Sequence, residues 1–382
     1  YTWGEGSIQK YDPGFGKVIE WDIPLLVGYT YTFEKNTAKT PGSHHFKGIK
    51  TPELISNIEK FSPDAILVFG WAYHSHLKVL RHFKGKIPIW FRGDSTLLDE
   101  QKGLKNLFKS YFLKWVYQHV DRAFYVGIAN KLYFLKYGLK EVQLSFAPHA
   151  IDNERFGLPQ IDKSKDLRKQ LSIEEDELLF LFAGKMELKK NPMLLLQAFI
   201  ELEQEGEMGK IQEDRAQNQE AGYKTEEVSD KKQGIHLLFL GNGLLEKSLK
   251  LKVESLELKK VHFMDFQNQS QMPVVYQACN VFCLPSFGPG ETWGLAVNEA
   301  MASGKAVIVS DRVGCGKDLV RHGENGFIFK HDDVEALLRP LRYFIENPER
   351  ENAFGEKSQT IIKNYTFEHI ATSIITLLMK DE

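Results

Sequence analysis

Cysteine is scarce in this chain, which has only three among its 382 residues. Cys279 and Cys283 stand four positions apart, but no matching pair of cysteines or histidines follows at the spacing of a zinc site. We interpret these two thiols and Cys315 as buried and free, as expected in a reducing compartment. The cysteine pattern therefore argues against a disulfide-stabilised fold and against a structural zinc module.

An excess of charge of one sign is also absent. The chain carries 49 lysines and arginines against 51 aspartates and glutamates, so its formal net charge is −2. Proteins that bind the backbone of nucleic acids usually carry a basic excess, so we expect no nucleic-acid partner. No apolar run reaches the roughly 18 residues that a membrane span requires, and no signal peptide is visible. These features are typical of a globular protein of the cytoplasm.

Residues 1–16 lack the apolar strand with which an α/β domain normally begins. They form a stretch rich in glycine and turn-forming residues instead. We therefore expect a segment of the first domain to precede Tyr1.

Short apolar runs alternate with helical segments along most of the chain. This alternation is typical of βα units, which build parallel sheets covered by helices on both faces. Runs in the first half predict strands at residues 65–69, 87–91, 123–126 and 143–147. Runs in the second half predict strands at residues 178–183, 236–240, 261–264, 281–284 and 306–310. The sequence thus predicts an α/β fold with two Rossmann-like domains that face a cleft.

The alternation also predicts domain boundaries. It weakens around residues 151–176, so we place the first domain at 1–157, a linker at 158–176, the second domain at 177–360 and a helical segment at 361–382. That last segment has room to pack back on the first domain or on the second. Residues 204–234 are polar and charged, and they cannot bury enough apolar surface to offset their ordering entropy. We predict an exposed, partly disordered insertion there, either a solvated loop or a partner-binding segment.

Residues 285–304 hold the strongest cluster of chemically informative side chains. A loop rich in glycine and proline follows a predicted strand, and a helix then begins near Gly294. Such a helix N-terminus offers N–H groups to an anion, so we predict a diphosphate site there. Because Gly294 has no Cβ, the diphosphate could approach the backbone closely. Glu299 in the helix would accept hydrogen bonds from a ribose, and Glu291 in the loop would lie near a sugar. Taken alone, both glutamates are equally compatible with solvated positions.

A second loop of the same domain follows the strand at 178–183 and carries Gly184, Lys185 and Lys190. Lysine is a point countercharge for phosphate, so we predict that both lysines project over the diphosphate, with a solvated basic loop as the alternative. Gly241, in the sequence Gly-Asn-Gly, ends another strand of this domain. That sequence is compatible with a plain tight turn and with a nucleotide cleft.

Together these residues resemble the donor-binding domain of glycosyltransferase family 4, whose members have the GT-B fold. The family's two glutamates, with seven residues between them, match Glu291 and Glu299. Its Gly-Arg…Lys loop matches Gly184, Lys185 and Lys190, with lysine for the usual arginine. The resemblance covers residues 178–340, including the runs 310–314 and 323–327, and it is looser at 149–156. It implies a donor site made of Gly184, Lys185, Lys190, Gly241, Glu291, Thr292, Trp293, Gly294, Leu295 and Glu299.

The resemblance implies an enzyme that takes a sugar from a nucleotide-diphosphate donor, retains the anomeric configuration and requires no metal. Lys185, Lys190 and the helix N-terminus would stabilise the departing diphosphate, and the leaving phosphate itself would deprotonate the acceptor. Glu291 would position the donor sugar, so its replacement should slow turnover. Replacement of Glu299 or Lys190 should weaken donor binding.

Two further segments depart from the family pattern. Thr292 and Trp293 stand where the family usually has Gly-Phe. Arg92, a glycine and Asp94 follow the strand at 87–91, where the family often has a histidine that contacts the transferred sugar. Arg92 is a candidate for stabilising the leaving phosphate, and Asp94 for binding an acceptor or sugar hydroxyl. His74, after the preceding strand, is a candidate on the acceptor side, although a lone histidine is more often structural or solvated.

Other functions and partners stay open at this point. A nucleotide-sugar epimerase or a phosphorylase could share the fold, and so could a non-catalytic nucleotide-sugar binding protein. The acceptor would be a glycan, a lipid-linked sugar or a small molecule, because loops of the first domain select it. Residues 102–119 are basic and aromatic at helical spacing. This helix either packs on its own domain or also lies on an anionic membrane surface at the inner face of the membrane.

Overall fold

A short antiparallel hairpin opens the chain, which a computed structural model describes over residues 1–3, 9–12, 14–100, 103–219 and 234–379. Its strands are β1 (Gln9–Asp12) and β2 (Lys17–Glu20), paired so that Asp12 lies opposite Lys17. The sequence predicts only turns in this stretch. The strands were missed because each has only four residues, too few to show a clear alternation.

A parallel sheet of four strands, counted over the described residues, forms the first half. Its strands neighbour one another in chain order: β3 (Ile66–Phe69), β4 (Ile89–Arg92), β5 (Arg122–Tyr125) and β6 (Leu144–Phe146). The helices of this half are α1 (Leu54–Phe61), α2 (His74–Phe83), α3 (Leu104–Tyr117) and α4 (Ile128–Lys136). Each strand that the sequence predicts is present, with ends displaced by one or two residues.

A second parallel sheet, of six strands within the described ranges, forms the other half. Its strands are β7 (Leu178–Ala183), β8 (Ile235–Leu240), β9 (Val261–Met264), β10 (Val281–Leu284), β11 (Ala306–Ser310) and β12 (Gly326–Phe329), in the order β12-β11-β10-β7-β8-β9. The order reverses between β7 and β10, and ligands of such sheets bind at the carboxyl ends of the strands at this switch point. The two Rossmann-like sheets confirm the α/β prediction. Strand β12, a short run after a Gly-Glu-Asn turn, was not predicted.

The core of the second half lies on both faces of its sheet. Every residue of β7 is buried, and successive side chains enter opposite clusters. Leu178, Phe180 and Phe182 join one cluster, whereas Leu179 and Leu181 join the other. This is why β7 is a continuous apolar run rather than an alternating one.

The helices after β6 are α5 (Asn153–Gly157), α6 (Ile161–Gln170), α7 (Pro192–Gln219), α8 (Glu246–Ser255), α9 (Met272–Ala278), α10 (Leu295–Ala302), α11 (Gly316–Leu319), α12 (Val334–Glu346), α13 (Arg350–Ile362) and α14 (Phe367–Leu378). Helix α7 corrects one prediction, because it continues well beyond residue 203 into the region assigned to an insertion. That region is rich in Glu, Gln and Lys, which are good helix formers even without an apolar face. The rest of the assigned insertion, residues 220–233, lies outside the described residues.

The last helix lies on the first sheet. Ile370, Ile374 and Leu377 of α14 pack against Trp90 and Phe124 of β4 and β5. The Thr366 side chain caps this helix by accepting a hydrogen bond from the backbone N–H of His369. Among the described residues, no helix has the length and apolar character needed to cross a bilayer.

Candidate active site

Two loops meet at the switch point of the second sheet. One follows β7 and contains a 3₁₀ turn (Leu188–Lys190), and the other follows β10 and leads into α10. The backbone N–H of Phe287 in the second loop donates to the carbonyl of Lys189 in the first, at 3.0 Å. The loops that carry the predicted lysines and the first predicted glutamate are therefore joined by their backbones.

Lys190 and Glu291 form an ion pair between these loops. The Lys190 Nζ lies 2.5 Å from Glu291 Oε2, which also accepts a hydrogen bond from the Ser286 hydroxyl at 3.0 Å. Glu291 is only 7% exposed, and the Lys190 side chain is 16% exposed. Glu291 is therefore not the solvated loop residue of the alternative interpretation. A partly buried cation held at a switch point can bind a phosphate, and the adjacent carboxylate can accept hydrogen bonds from a sugar.

Lys185 is covered by the N-terminal hairpin. Its Nζ lies 2.8 Å from Asp12 Oδ1 and 2.9 Å from Oδ2, and it stands 5.1 Å from the centre of the Phe15 ring. The same Asp12 oxygen, Oδ1, accepts hydrogen bonds from the backbone N–H groups of Gly14 and Phe15. These contacts keep the pKa of Asp12 below its usual value, although burial opposes them. The structure thus joins Lys185 to a carboxylate that the sequence did not single out.

Glu299 lies in the second turn of α10, where the Tyr276 hydroxyl donates to its Oε2 at 2.8 Å. Burial raises the pKa of Glu299, and the hydrogen bond from Tyr276 opposes that rise. Leu295, in the first turn, is exposed. A carboxylate oriented by a buried tyrosine is suited to accept hydrogen bonds from a diol.

Gly294 begins α10 for a reason that the sequence did not indicate. Its φ is +100°, a region that favours glycine. An added Cβ would also come within 2.9 Å of Val313 and 3.2 Å of Leu284. The glycine is therefore required by the backbone and by packing, whereas the sequence had suggested that it allows close approach of the ligand.

The loop after β8 packs directly on the loop after β7. A Cβ at Gly241 would lie 2.2 Å from the carbonyl oxygen of Gly184, so the two backbones touch. Asn242 joins the next loop, donating to Asp265 at 2.9 Å and accepting from the backbone of Phe266. The Gly-Asn-Gly sequence therefore holds three strand ends together.

A cavity of about 350 Å³ lies at the carboxyl ends of the first sheet's strands. Its lining includes Gly70, Tyr73, Arg92, Asp94, Ser95 and His149. Arg92 is buried, and its two terminal nitrogens each donate at 2.7 Å, to the carbonyls of Ala147 and Pro148. Much of the donor capacity of this guanidinium is therefore used to hold the chain after β6, which leaves less for the phosphate contact suggested by the sequence.

Side chains from the second half contact two residues that line this cavity. The Thr292 hydroxyl donates to Asp94 Oδ2 at 2.8 Å, and the Trp293 ring lies 5.4 Å from the His149 ring. An added Cβ at Gly127 would lie 2.5 Å from Trp293, so the two halves are in close contact here. The two residues that replace the family's usual Gly-Phe thus connect the glutamate loop to the opposite half.

His74 lies apart from this group of residues. It is exposed at the start of α2, makes an edge contact with Phe46, and is not part of the cavity lining. Burial and nearby lysines lower its pKa. The histidine in the lining is His149, which lies in the segment 149–156 where the resemblance to the family is looser. Its position directly after a strand end was the available signal.

Comparison with known proteins identifies the family of this chain. A family model described as "Glycosyl transferases group 1" matches residues 163–361, more than half of the chain. The chain belongs to this family. The match covers Lys185 and Lys190 of the β7 loop as well as Glu291 and Glu299.

Curated relatives lie in the same functional class. An "Uncharacterized glycosyltransferase" of Haemophilus influenzae is 31% identical over 136 residues, covering 35% of this chain and 37% of the relative. An alpha-1,4-N-acetyl-D-galactosaminyltransferase of Campylobacter jejuni is 24% identical over 270 residues, covering 70% of this chain and 62% of the relative. The chain therefore spans about one third to three fifths of the length of these relatives.

The fold is shared with solved glycosyltransferase structures. Anabaena HepE, solved in complex with UDP, superposes with a TM-score of 0.66 at 17% sequence identity, covering 86% of this chain and 82% of HepE. At this identity the likeness shows the fold alone, which is the GT-B fold.

Proposed function

We propose that this protein is a retaining glycosyltransferase of family 4, which moves a sugar from a nucleotide-diphosphate donor to a glycan, lipid-linked or small-molecule acceptor. The observation that carries the proposal is the Lys190–Glu291 pair at the switch point, in a loop whose Thr292 donates a hydrogen bond to Asp94 of the cavity lining. A phosphate-binding cation then lies on one side of the transferred sugar, and hydroxyl-binding groups lie on the other.

In the proposed reaction, the bond between the anomeric carbon and the diphosphate oxygen breaks, and a bond from the acceptor oxygen to that carbon forms on the same face. The proton of the acceptor hydroxyl passes to an oxygen of the departing diphosphate. Lys190 and the N–H groups at the start of α10 stabilise the charge that develops on this leaving group. Glu291 orients the donor sugar, and Glu299 accepts hydrogen bonds from the ribose. No protein base and no metal ion is required by this scheme.

A nucleotide screen followed by product analysis tests the function. We expect UDP, the ligand named for HepE, or another nucleoside diphosphate to raise the melting temperature, because a ligand at 100 times its Kd stabilises the folded state by about 2.7 kcal/mol. NMR should show that the product keeps the anomeric configuration of the donor. EDTA should leave the rate of sugar transfer unchanged. An inverted product, or an epimer formed from donor alone, would overturn the proposal, as would a protein that binds no nucleotide.

Asp12 is expected to compete with the donor for Lys185. A diphosphate beside Lys185 would be repelled by the Asp12 carboxylate, which is paired with the Lys185 ammonium. We expect Asp12→Asn to tighten UDP binding by about fivefold, since unit charges about 4 Å apart interact by about 1 kcal/mol in water. Isothermal titration calorimetry measures this change. Asp22→Asn, on the same segment but paired with Ser270, is the control. Weaker binding by Asp12→Asn would instead make Asp12 a support for Lys185.

We also propose that α3 contacts an anionic lipid surface. Leu113, Val116 and Tyr117 of this helix are buried, as an ordinary packed helix requires. Its earlier turns, however, leave Leu104, Phe108 and Tyr111 about 70% exposed, next to Lys105 and Lys109. Exposed apolar side chains flanked by lysines match the chemistry of an anionic bilayer surface. The Campylobacter relative's name includes an undecaprenol-linked substrate, which supports a lipid-linked acceptor.

Vesicle binding tests this contact. We expect sedimentation with vesicles containing phosphatidylglycerol and little with phosphatidylcholine alone. The double variant Phe108→Ser/Tyr111→Ser should reduce binding by about tenfold or more, because each large side chain contributes about 1.5–3 kcal/mol when buried. Phe61→Ser, which changes an 81% exposed phenylalanine on α1, is the matched control. Equal loss in the control, or equal binding to both vesicles, would contradict the proposal.

A further inference from the structure

His149 occupies a position between the two halves of the molecule. It follows the end of β6 and lines the cavity of the first sheet, with its side chain 25% exposed. Its Nε2 lies 3.9 Å from Asp94 Oδ2. This separation is too long for a direct hydrogen bond, but one oxygen atom placed between the two groups can contact both.

Two side chains of the second half hold His149 in place. The Asn298 amide in α10 donates to the His149 carbonyl at 3.2 Å, and the Trp293 ring packs on the imidazole. The Trp293 indole N–H in turn donates to Asn298 Oδ1 at 2.8 Å, and both of these residues are buried. A phenylalanine at position 293 could supply the packing but not this hydrogen bond. The position of the imidazole therefore depends on the segment that carries both glutamates.

The imidazole is neutral at physiological pH. Burial lowers the pKa of His149 to about 4, and the nearby Arg92 adds to this effect, while Asp94 opposes it. A neutral imidazole has one N–H donor and one nitrogen acceptor, and the Asp94 carboxylate is an acceptor. A hydroxyl group placed between them can donate to one and accept from the other.

We propose that His149 binds a hydroxyl group of a sugar substrate in this cavity, together with Asp94. The assignment rests on the proposed function, since it places the sugar between Glu291 on one side and His149 and Asp94 on the other. The volume of about 350 Å³ falls in the range of about 300–1,000 Å³ found for small-molecule sites. Thr292, next to Glu291 in the chain, donates a hydrogen bond to Asp94. This bond holds Asp94 in a fixed position relative to the loop that carries Glu291. Trp293 and Asn298 act on the sugar through His149 and are positioning residues.

Three variants test the assignment, with UDP as the binding probe. Turnover is measured as UDP release from the nucleotide sugar that stabilises the wild-type protein most. His149→Leu should bind UDP within about twofold of wild type, because His149 contacts the sugar and not the nucleotide. Its kcat should fall by about 10- to 100-fold. His149→Gln, which keeps a hydrogen-bonding group, should retain more of the activity. Trp293→Phe should lower kcat by about three- to tenfold with unchanged UDP affinity.

The control is His82→Gln, a half-buried histidine paired with Glu59 at the other end of α2. Wild-type turnover in His149→Leu and His149→Gln would overturn the assignment, and so would a loss of UDP affinity as large as the loss of turnover. If His149→Leu does not fold, His149→Gln and Trp293→Phe carry the test. A wild-type protein that neither binds UDP nor releases it from any nucleotide sugar would instead contradict the proposed function itself.

Discussion

Lys190→Met is expected to lower the rate of sugar transfer by about a thousandfold and to weaken UDP binding by about tenfold. Methionine keeps an unbranched side chain of similar length but removes the charge that faces the departing diphosphate. The effect on transfer exceeds the effect on binding because negative charge on the leaving group is greatest in the transition state. Steady-state UDP release and isothermal titration of UDP measure the two effects separately.

The matched control is Lys189→Met, one position earlier in the same turn. The Lys189 ammonium lies 3.4 Å from a Glu187 carboxylate oxygen and its side chain is 39% exposed, so we expect near wild-type transfer. A similar loss in both variants would show that the loop as a whole, and not the charge of Lys190, is responsible. Transfer by Lys190→Met within tenfold of wild type would remove Lys190 from the proposed mechanism.

Glu291→Gln is expected to lower kcat by about a hundredfold while leaving UDP affinity within about threefold of wild type. Glutamine is close to glutamate in shape and can still accept from the Ser286 hydroxyl, but it no longer pairs with Lys190. The sugar then loses the carboxylate that orients it, whereas the nucleotide keeps its own contacts. A loss confined to UDP affinity would place Glu291 at the nucleotide instead of the sugar.

The double variant Lys190→Met/Glu291→Gln tests whether the two residues act as a unit. Because they are paired at 2.5 Å, the combined loss should be much smaller than the product of the single losses. The pair of Lys357 and Glu324, 2.7 Å apart on the surface of the same half, gives the comparison. Changing that pair to methionine and glutamine should leave transfer unchanged. Full additivity at Lys190 and Glu291 would contradict a shared role.

The ion pair also changes an expectation drawn from the sequence. From the sequence we expected Lys190 to bind the donor and stabilise the departing diphosphate, and Glu291 to affect turnover, as two separate contributions. In the structure the ammonium and the carboxylate touch, so removing either one leaves a largely buried partner charge without its counterion. We therefore expect each replacement to disturb the contribution that the other residue makes to turnover.

The departures from the family pattern are explained only by contacts between the halves. Thr292 holds Asp94, and Trp293 holds His149 directly and through Asn298. A residue pattern along one segment contains no information about which loop of the other half it will meet. The sequence could therefore identify these positions as unusual but could not assign them a role.

The sequence by itself determined the α/β class, nearly all strands of both sheets, and the loops that carry Lys190 and Glu291. These features follow from local periodicity and from the rule that parallel strands bring their carboxyl ends to one edge. Tertiary structure decided which groups meet there. Asp12 and Lys185 are 173 positions apart, and Asp94 and Thr292 are 198 apart. Such contacts depend on how two sheets face each other across a cleft, and neither hydrophobic pattern nor spacing within a segment specifies that geometry.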